Sequence, residues 1–410
     1  MTMFTSLYPS VHEVNQHPFP SGLSADIKTL PQYLKEAGYS TYGLYYGHYV
    51  APELGFGKGF DIYTQKDFIA PANEEAFKIL DDRKDKGRPF FMFFHVGDVH
   101  QPYMDMNDYT KKTAEYRDMF DPDYTGSIVT GSESEALSLS EKIWYDNKAK
   151  DLARDIYHMV ALYDGAIRHT DHYLGEFFKG LKDRGLYDDT LIIITSDHGE
   201  EFGEHYIMGH NQLFRELIRV PLIVKPPRSG SGARCGERVR LLDLLPTFLD
   251  YLGIPFPAFH QGISFSSLIG RSRAGRLIGE LKFKAMSDYL SRKGEDRSLV
   301  YSESEMQAGP YTSHRSLLDS KYHFQRDILP VLPADEPVRY RLHKTPTDPE
   351  EKNDLAPKLP ETVSAYNGKV NKLGKEMQAA RAKASKDTRP RDVKMRKEQI
   401  EWMKSVGYLH

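Results

Sequence analysis

Apolar side chains along the chain follow two rhythms. Between Ser24 and Ala37, Ile27, Leu30, Leu34 and Ala37 recur at the spacing of one helix face, with Ser24 placed to cap the start and Gly38 to end it. The other rhythm belongs to strands. Ser40–Tyr46 follows that helix, and after Pro89 the run Phe-Phe-Met-Phe-Phe-His-Val is apolar on both faces, which predicts a strand in the middle of a sheet. From about Asp151 to Arg184, Met159, Leu162, Ala166, Leu174, Phe177, Phe178 and Leu181 mark a long amphipathic helix closed by Gly185. The Asp188-Asp189 turn leads into an Ile-rich strand, Thr190–Ser196, and a further strand, Val220–Lys225, ends at Pro226-Pro227. A helix over Leu241–Leu252 stops at Gly253-Ile254-Pro255. This alternation predicts an α/β fold: a largely parallel sheet covered by helices on both faces, with ligands beyond the carboxyl ends of its strands.

After that stop the rhythm changes. Arg271–Arg297 is charged and reads as a connector, dividing a main unit, 1–272, from a smaller one, 273–410. Short strands at Leu299–Ser304, Ser313–Leu318, Tyr322–Arg326 and Val338–Leu342, then a helix near Pro360–Met377, predict a small α+β unit with an antiparallel sheet. Ala379–Lys397, rich in Lys, Arg and Ala, reads as a solvated helix or strap.

Composition narrows the function classes. A chain of 410 residues, 40% hydrophobic and 28% charged, can bury a large core and carry a second unit. A formal net charge of −3 lacks the basic footprint of a nucleic-acid binder, so no nucleic-acid partner is expected. No apolar run approaches the ~20 residues of a membrane span. A lone cysteine, Cys235, excludes an intramolecular disulfide and a cysteine-rich metal site but leaves the compartment open. Nothing in the pattern speaks to oligomeric state.

The densest chemistry lies in Ser196-Asp197-His198-Gly199-Glu200-Glu201-Phe202-Gly203-Glu204-His205, then Gly209-His210 and Arg219-Val220-Pro221-Leu222-Ile223-Val224. A carboxylate and an imidazole leaving the end of a buried strand can hold a divalent cation, and Gly199 lets backbone approach closely. His198, His205 and His210 crowd one loop, as in metal and catalytic sites.

These motifs, in this order, resemble the carboxy-terminal signature of sulfatases and related members of the alkaline phosphatase superfamily. The likeness extends over nearly the whole chain. Leu7-Tyr8-Pro9-Ser10-Val11-His12 is similar to the segment after the family's nucleophile motif, and Gly55-Phe56-Gly57-Lys58-Gly59-Phe60-Asp61 to its glycine-rich turn. Asp98-Val99-His100-Gln101-Pro102 is similar to its histidine loop, and Thr347-Asp348-Pro349-Glu350-Glu351 to a late landmark. The resemblance implies an alkaline-phosphatase-like three-layer α/β/α sandwich and the hydrolysis of an organic sulfate, carbohydrate-linked above all. It further implies attack by a formylglycine hydrate made from the Cys or Ser of a Cys/Ser-x-Pro-x-Arg motif, with a divalent cation, usually Ca2+, holding the sulfate oxygens.

Residue by residue, Asp197 and His198 match two metal ligands; an imidazole at the second place keeps Mn2+ or Zn2+ in play beside calcium. His48 matches the histidine that assists the covalent intermediate, His100 one that binds sulfate or protonates the leaving oxygen, and His210 a Lys or His on the same group. Tyr46 stands where the family carries Lys. His205 and Asp164 read as structural. Cys235, in Ala-Arg-Cys-Gly-Glu, does not match the nucleophile motif. Alignment at Tyr8-Pro9 places that motif ahead of Met1, with two metal-binding aspartates further upstream, so the chain alone is expected to be inactive and any export signal would also precede Met1. A phosphodiesterase or phospho-transferase of the same superfamily, and a non-catalytic binding protein, are the alternatives.

Overall fold

The computed structural model describes residues 1–14, 21–103, 115–146, 151–210, 212–229, 232–255, 259–269, 299–306, 312–328, 338–384 and 391–392. The expected connector, Arg271–Arg297, lies outside them, as does the end of the Lys/Arg-rich strap.

In the main unit, helix α1 (Leu30–Glu36) precedes strand β1 (Ser40–Tyr45), which pairs in parallel with β2 (Ile62–Gln65) on one side and β3 (Phe90–Phe94) on the other. The helix begins at Leu30, later than Ser24. Thr29 and Gln32 close a capping box there, and Pro31, in the first turn, offers no amide that would need a partner. Alternation along β3 sorts its side chains. Phe90, Met92 and Phe94 face Tyr42, Leu44 and the long helices α2 (Ile69–Asp81) and α4 (Leu152–Asp183), while Phe91 and Phe93 face α1 and α5 (Leu244–Tyr251). A shorter helix, α3 (Glu133–Tyr145), packs on α4. Helices thus cover both faces of the sheet.

Strand β4 (Ile192–Thr195) pairs with β5 (Leu222–Lys225), and this pair is antiparallel where a parallel partner was expected. Among the described residues, β3 forms an edge of its sheet rather than its middle. A cavity of about 1550 Å³ reaches along both Phe90–Phe94 and Ile192–Thr195.

The smaller unit is a meander of β6 (Val300–Met306), β7 (Thr312–Leu318), β8 (Tyr322–Ile328) and β9 (Val338–Lys344), all antiparallel, with α6 (Pro360–Ala384) across it. Its core is shared with the start of the chain: Leu7, Tyr8 and Val11 pack with Leu317, Phe324, Leu342 and Val370. No helix among the described residues is long and apolar enough to cross a membrane.

Candidate functional site

The loops at the carboxyl ends of β3 and β4 meet at one mouth of the cavity, as the α/β pattern predicts. Two buried contacts hold the first loop. Asp98 accepts the Ile69 backbone N–H at 2.8 Å through Oδ2, and its Oδ1 lies 3.1 Å from Nδ1 of His169 on α4. His100 is thereby fixed just beyond a fully buried carboxylate. The second loop is set by Gly199, whose N–H donates to Leu217 O at 2.8 Å; a Cβ there would stand 1.8 Å from the Glu216 carbonyl oxygen. Only glycine fits at that approach.

Around this mouth His100, His198 and His210 converge, with ring centroids 6.2 Å (His100–His198), 5.1 Å (His100–His210) and 4.5 Å (His198–His210) apart. A ring nitrogen from each lies within 4.8 Å of the other two. Their Nδ1 atoms are engaged elsewhere: His100 on Gln101 O at 2.6 Å, His198 on Gly199 O at 2.8 Å and His210 on Glu200 Oε1 at 3.0 Å. A carbonyl can only accept, so the first two rings donate from Nδ1. Burial, then the charge of His210, push His100 down to about 4, leaving it neutral near pH 7.

Asp197 faces the same space, its Oδ2 3.9 Å from His198 Nε2. Asp197 is exposed to the open cavity; the protein packed around it would raise its carboxyl, but the positive charge of the facing imidazoles, His198 and then His95, outweighs that and holds the group down at about 2. An ionised oxygen beside an imidazole, both open to the cavity, fits a divalent cation.

Of the residues singled out in the sequence, Asp197, His198, His100 and His210 therefore come together. His48 lies half-buried in the loop after β1, where Tyr46, Gly47, Tyr49 and Val50 form the cavity wall. His205 turns elsewhere, with Nε2 3.2 Å from Glu216 Oε2 and its ring stacked on Phe214. Asp164 is exposed on α4. Two contributors had escaped notice. His95, the last polar residue of the apolar run, stands among the groups facing Asp197, and Glu200, buried, backs His210. A histidine ending a buried strand and an acid next to Gly199 were the available signals.

A family model for sulfatases matches residues 1–254. The arylsulfatase of Clostridium perfringens is 27% identical over 242 residues, 54% of this chain and 46% of that protein. Arylsulfatase K of Bos taurus is 29% identical over 222 residues, 54% of this chain and 37% of that one. The multifunctional alkaline phosphatase superfamily protein PehA of Trinickia caryophylli is 31% identical over 163 residues, 39% of this chain and 29% of that one. The chain thus spans less than half the length of these relatives. Among solved structures, BT4656 in complex with its substrate D-glucosamine-2-N,6-O-disulfate superposes with a TM-score of 0.63 at 17% identity, covering 94% of this chain and 89% of that one. The phosphonate monoester hydrolase of Agrobacterium radiobacter does so with a TM-score of 0.63 at 17% identity, covering 92% and 85%. The fold is alkaline-phosphatase-like, and the chain belongs to the sulfatase family.

Proposed function

We propose that this chain serves a sulfuric ester hydrolase that cleaves an organic sulfate, with a sulfated glycan or other small sulfate ester as substrate. The observation that carries the reading is the convergence of His100, His198 and His210 beside an ionised Asp197. Sulfate ester cleavage spreads negative charge over the transferred group and leaves an alkoxide, so it needs cationic or donor groups on one side and a proton source on the other.

Asp197 and His198 would hold a divalent cation, which supplies charge neutralisation at the sulfate oxygens. The resemblance favours Ca2+ there, while the imidazole donor supports Mn2+ or Zn2+. His210 has the Glu200 carboxylate behind its ring, an arrangement that lets Nε2 carry a proton towards a departing oxygen. His100, neutral and tied by Nδ1, accepts a hydrogen bond or a proton at Nε2. His48 is assigned to the covalent intermediate on the resemblance alone. The nucleophile in this reading is a formylglycine contributed from outside these 410 residues, which contain no Cys/Ser-x-Pro-x-Arg stretch.

Two proteins test this: the 410-residue chain, and the product of the full open reading frame around it. The chain alone is expected to hydrolyse aryl sulfates no faster than buffer, and the longer product to do so in a metal-dependent way. Metal-dependent turnover by the chain alone would overturn the external nucleophile. A longer product that preferred phosphate or phosphonate esters would favour the second reading, for which the likeness to a multifunctional superfamily member speaks.

A further inference from the structure

Past Asp197 the same loop runs into a second group of acids and imidazoles. His205 Nε2 lies 3.2 Å from Glu216 Oε2, and a Glu351 oxygen completes a set of donor atoms all within 4.8 Å of one another. Three separate segments supply them: the loop after the short strand Glu201–Phe202, the helix Arg215–Ile218, and the turn beyond β9 in the smaller unit. Two donors on a tetrahedral ion with bonds of about 2.1 Å stand about 3.4 Å apart, close to the 3.2 Å between His205 and Glu216. Glu351 is already oriented, because Oε1 accepts from His323 Nδ1 at 2.5 Å and Oε2 from the Arg215 N–H at 3.2 Å. A carboxylate gripped from behind by an imidazole is a familiar support for a metal ligand.

A second observation is independent of that geometry. Glu201 is fully buried, and neither of its carboxylate oxygens has a hydrogen-bond partner. The Glu216 and Glu204 carboxylates and Arg341 all act on it electrostatically, and Arg341 is itself bound to Asp327. Nε2 of His323 and both ring nitrogens of His343 are likewise buried without a hydrogen-bond partner. A buried carboxyl left without a partner is costly, and a cation within reach would offset that cost.

We propose that His205, Glu216 and Glu351 form a second divalent-cation site that ties the Glu201–Ile218 loop to the antiparallel sheet. Its mixed imidazole and carboxylate donors select a transition dication such as Zn2+ over Ca2+. Glu216 also lines the cavity but His205 and Glu351 do not, and the site does not depend on the sulfatase reading.

The test counts metal where the first cluster cannot contribute. An Asp197→Ala, His198→Ala, His210→Ala variant, stripped with chelator and reloaded with Zn2+, is expected to retain about one equivalent by elemental analysis and to gain several degrees in Tm. Adding His205→Ala or Glu216→Gln should drop retention at least tenfold and remove the Tm gain, while circular dichroism stays native. Zn2+ retention unchanged by either addition, or no Zn2+ bound by a natively folded triple variant, overturns the proposal. Neither result bears on which ester the protein hydrolyses.

Discussion

Asp197 and His205 share one loop but answer to different neighbours. Asp197 is ionised among imidazoles at the cavity mouth, whereas His205 is turned to Glu216 and Phe214. In a catalytically competent form, Asp197→Ala is expected to abolish metal-dependent activity, since it removes both a charged donor and the positioning of the substrate anion. His205→Ala should cost about 10–100-fold at most, acting through the loop alone. Initial rates for the two variants decide it, and a larger loss for His205→Ala would reverse the assignment. What made the first group legible was residue type repeated over a short span. His95 and Glu200 were not legible, because one histidine after an apolar run and one acid among several carry no mark of where they point. Glu201 looks like its neighbour Glu200 in sequence and is buried like it, but its carboxylate oxygens lack the partner that Glu200 finds in His210.

At the scale of elements, local signals placed the helices and strands well, and pairing was harder to read. The long helix α4 and the meander β6–β9 lie close to their expected positions, since stripe and alternation are local patterns. The antiparallel pairing of β4 with β5 has no local signature: both faces of a buried strand are apolar whichever way its partner runs. Gly199 did have one, as the glycine directly after Asp197-His198. Gly199→Ala is expected to destabilise the protein by about 1–3 kcal/mol, because its Cβ would meet backbone rather than a yielding side chain. Any surviving activity should fall by about 100-fold as the loop is displaced. Urea unfolding and initial rates measure both; an alanine variant with unchanged midpoint and rate would show that the loop can shift freely.

Across the whole molecule, the cavity along Phe90–Phe94 and Ile192–Thr195 leaves apolar strand surface within reach of solvent. The 410-residue chain should bind a hydrophobic dye strongly and aggregate on heating, as open strand edges and unsatisfied apolar surface do. A monodisperse monomer that melts sharply and leaves the dye dark would count against it.

The core shared between the first residues and the last sheet also has a bearing on time. Leu7, Tyr8 and Val11 find their partners in Phe324, Leu342 and Val370, and Glu13 meets Arg381. At synthesis rates of about 5–20 residues per second, those partners leave the ribosome roughly 15–75 seconds after the segment that needs them. For that interval Leu7, Tyr8 and Val11 lack the sheet that covers them. Slowing translation late in the message should therefore lengthen the period in which this segment is open to chaperones and proteases, although it touches no residue of the site.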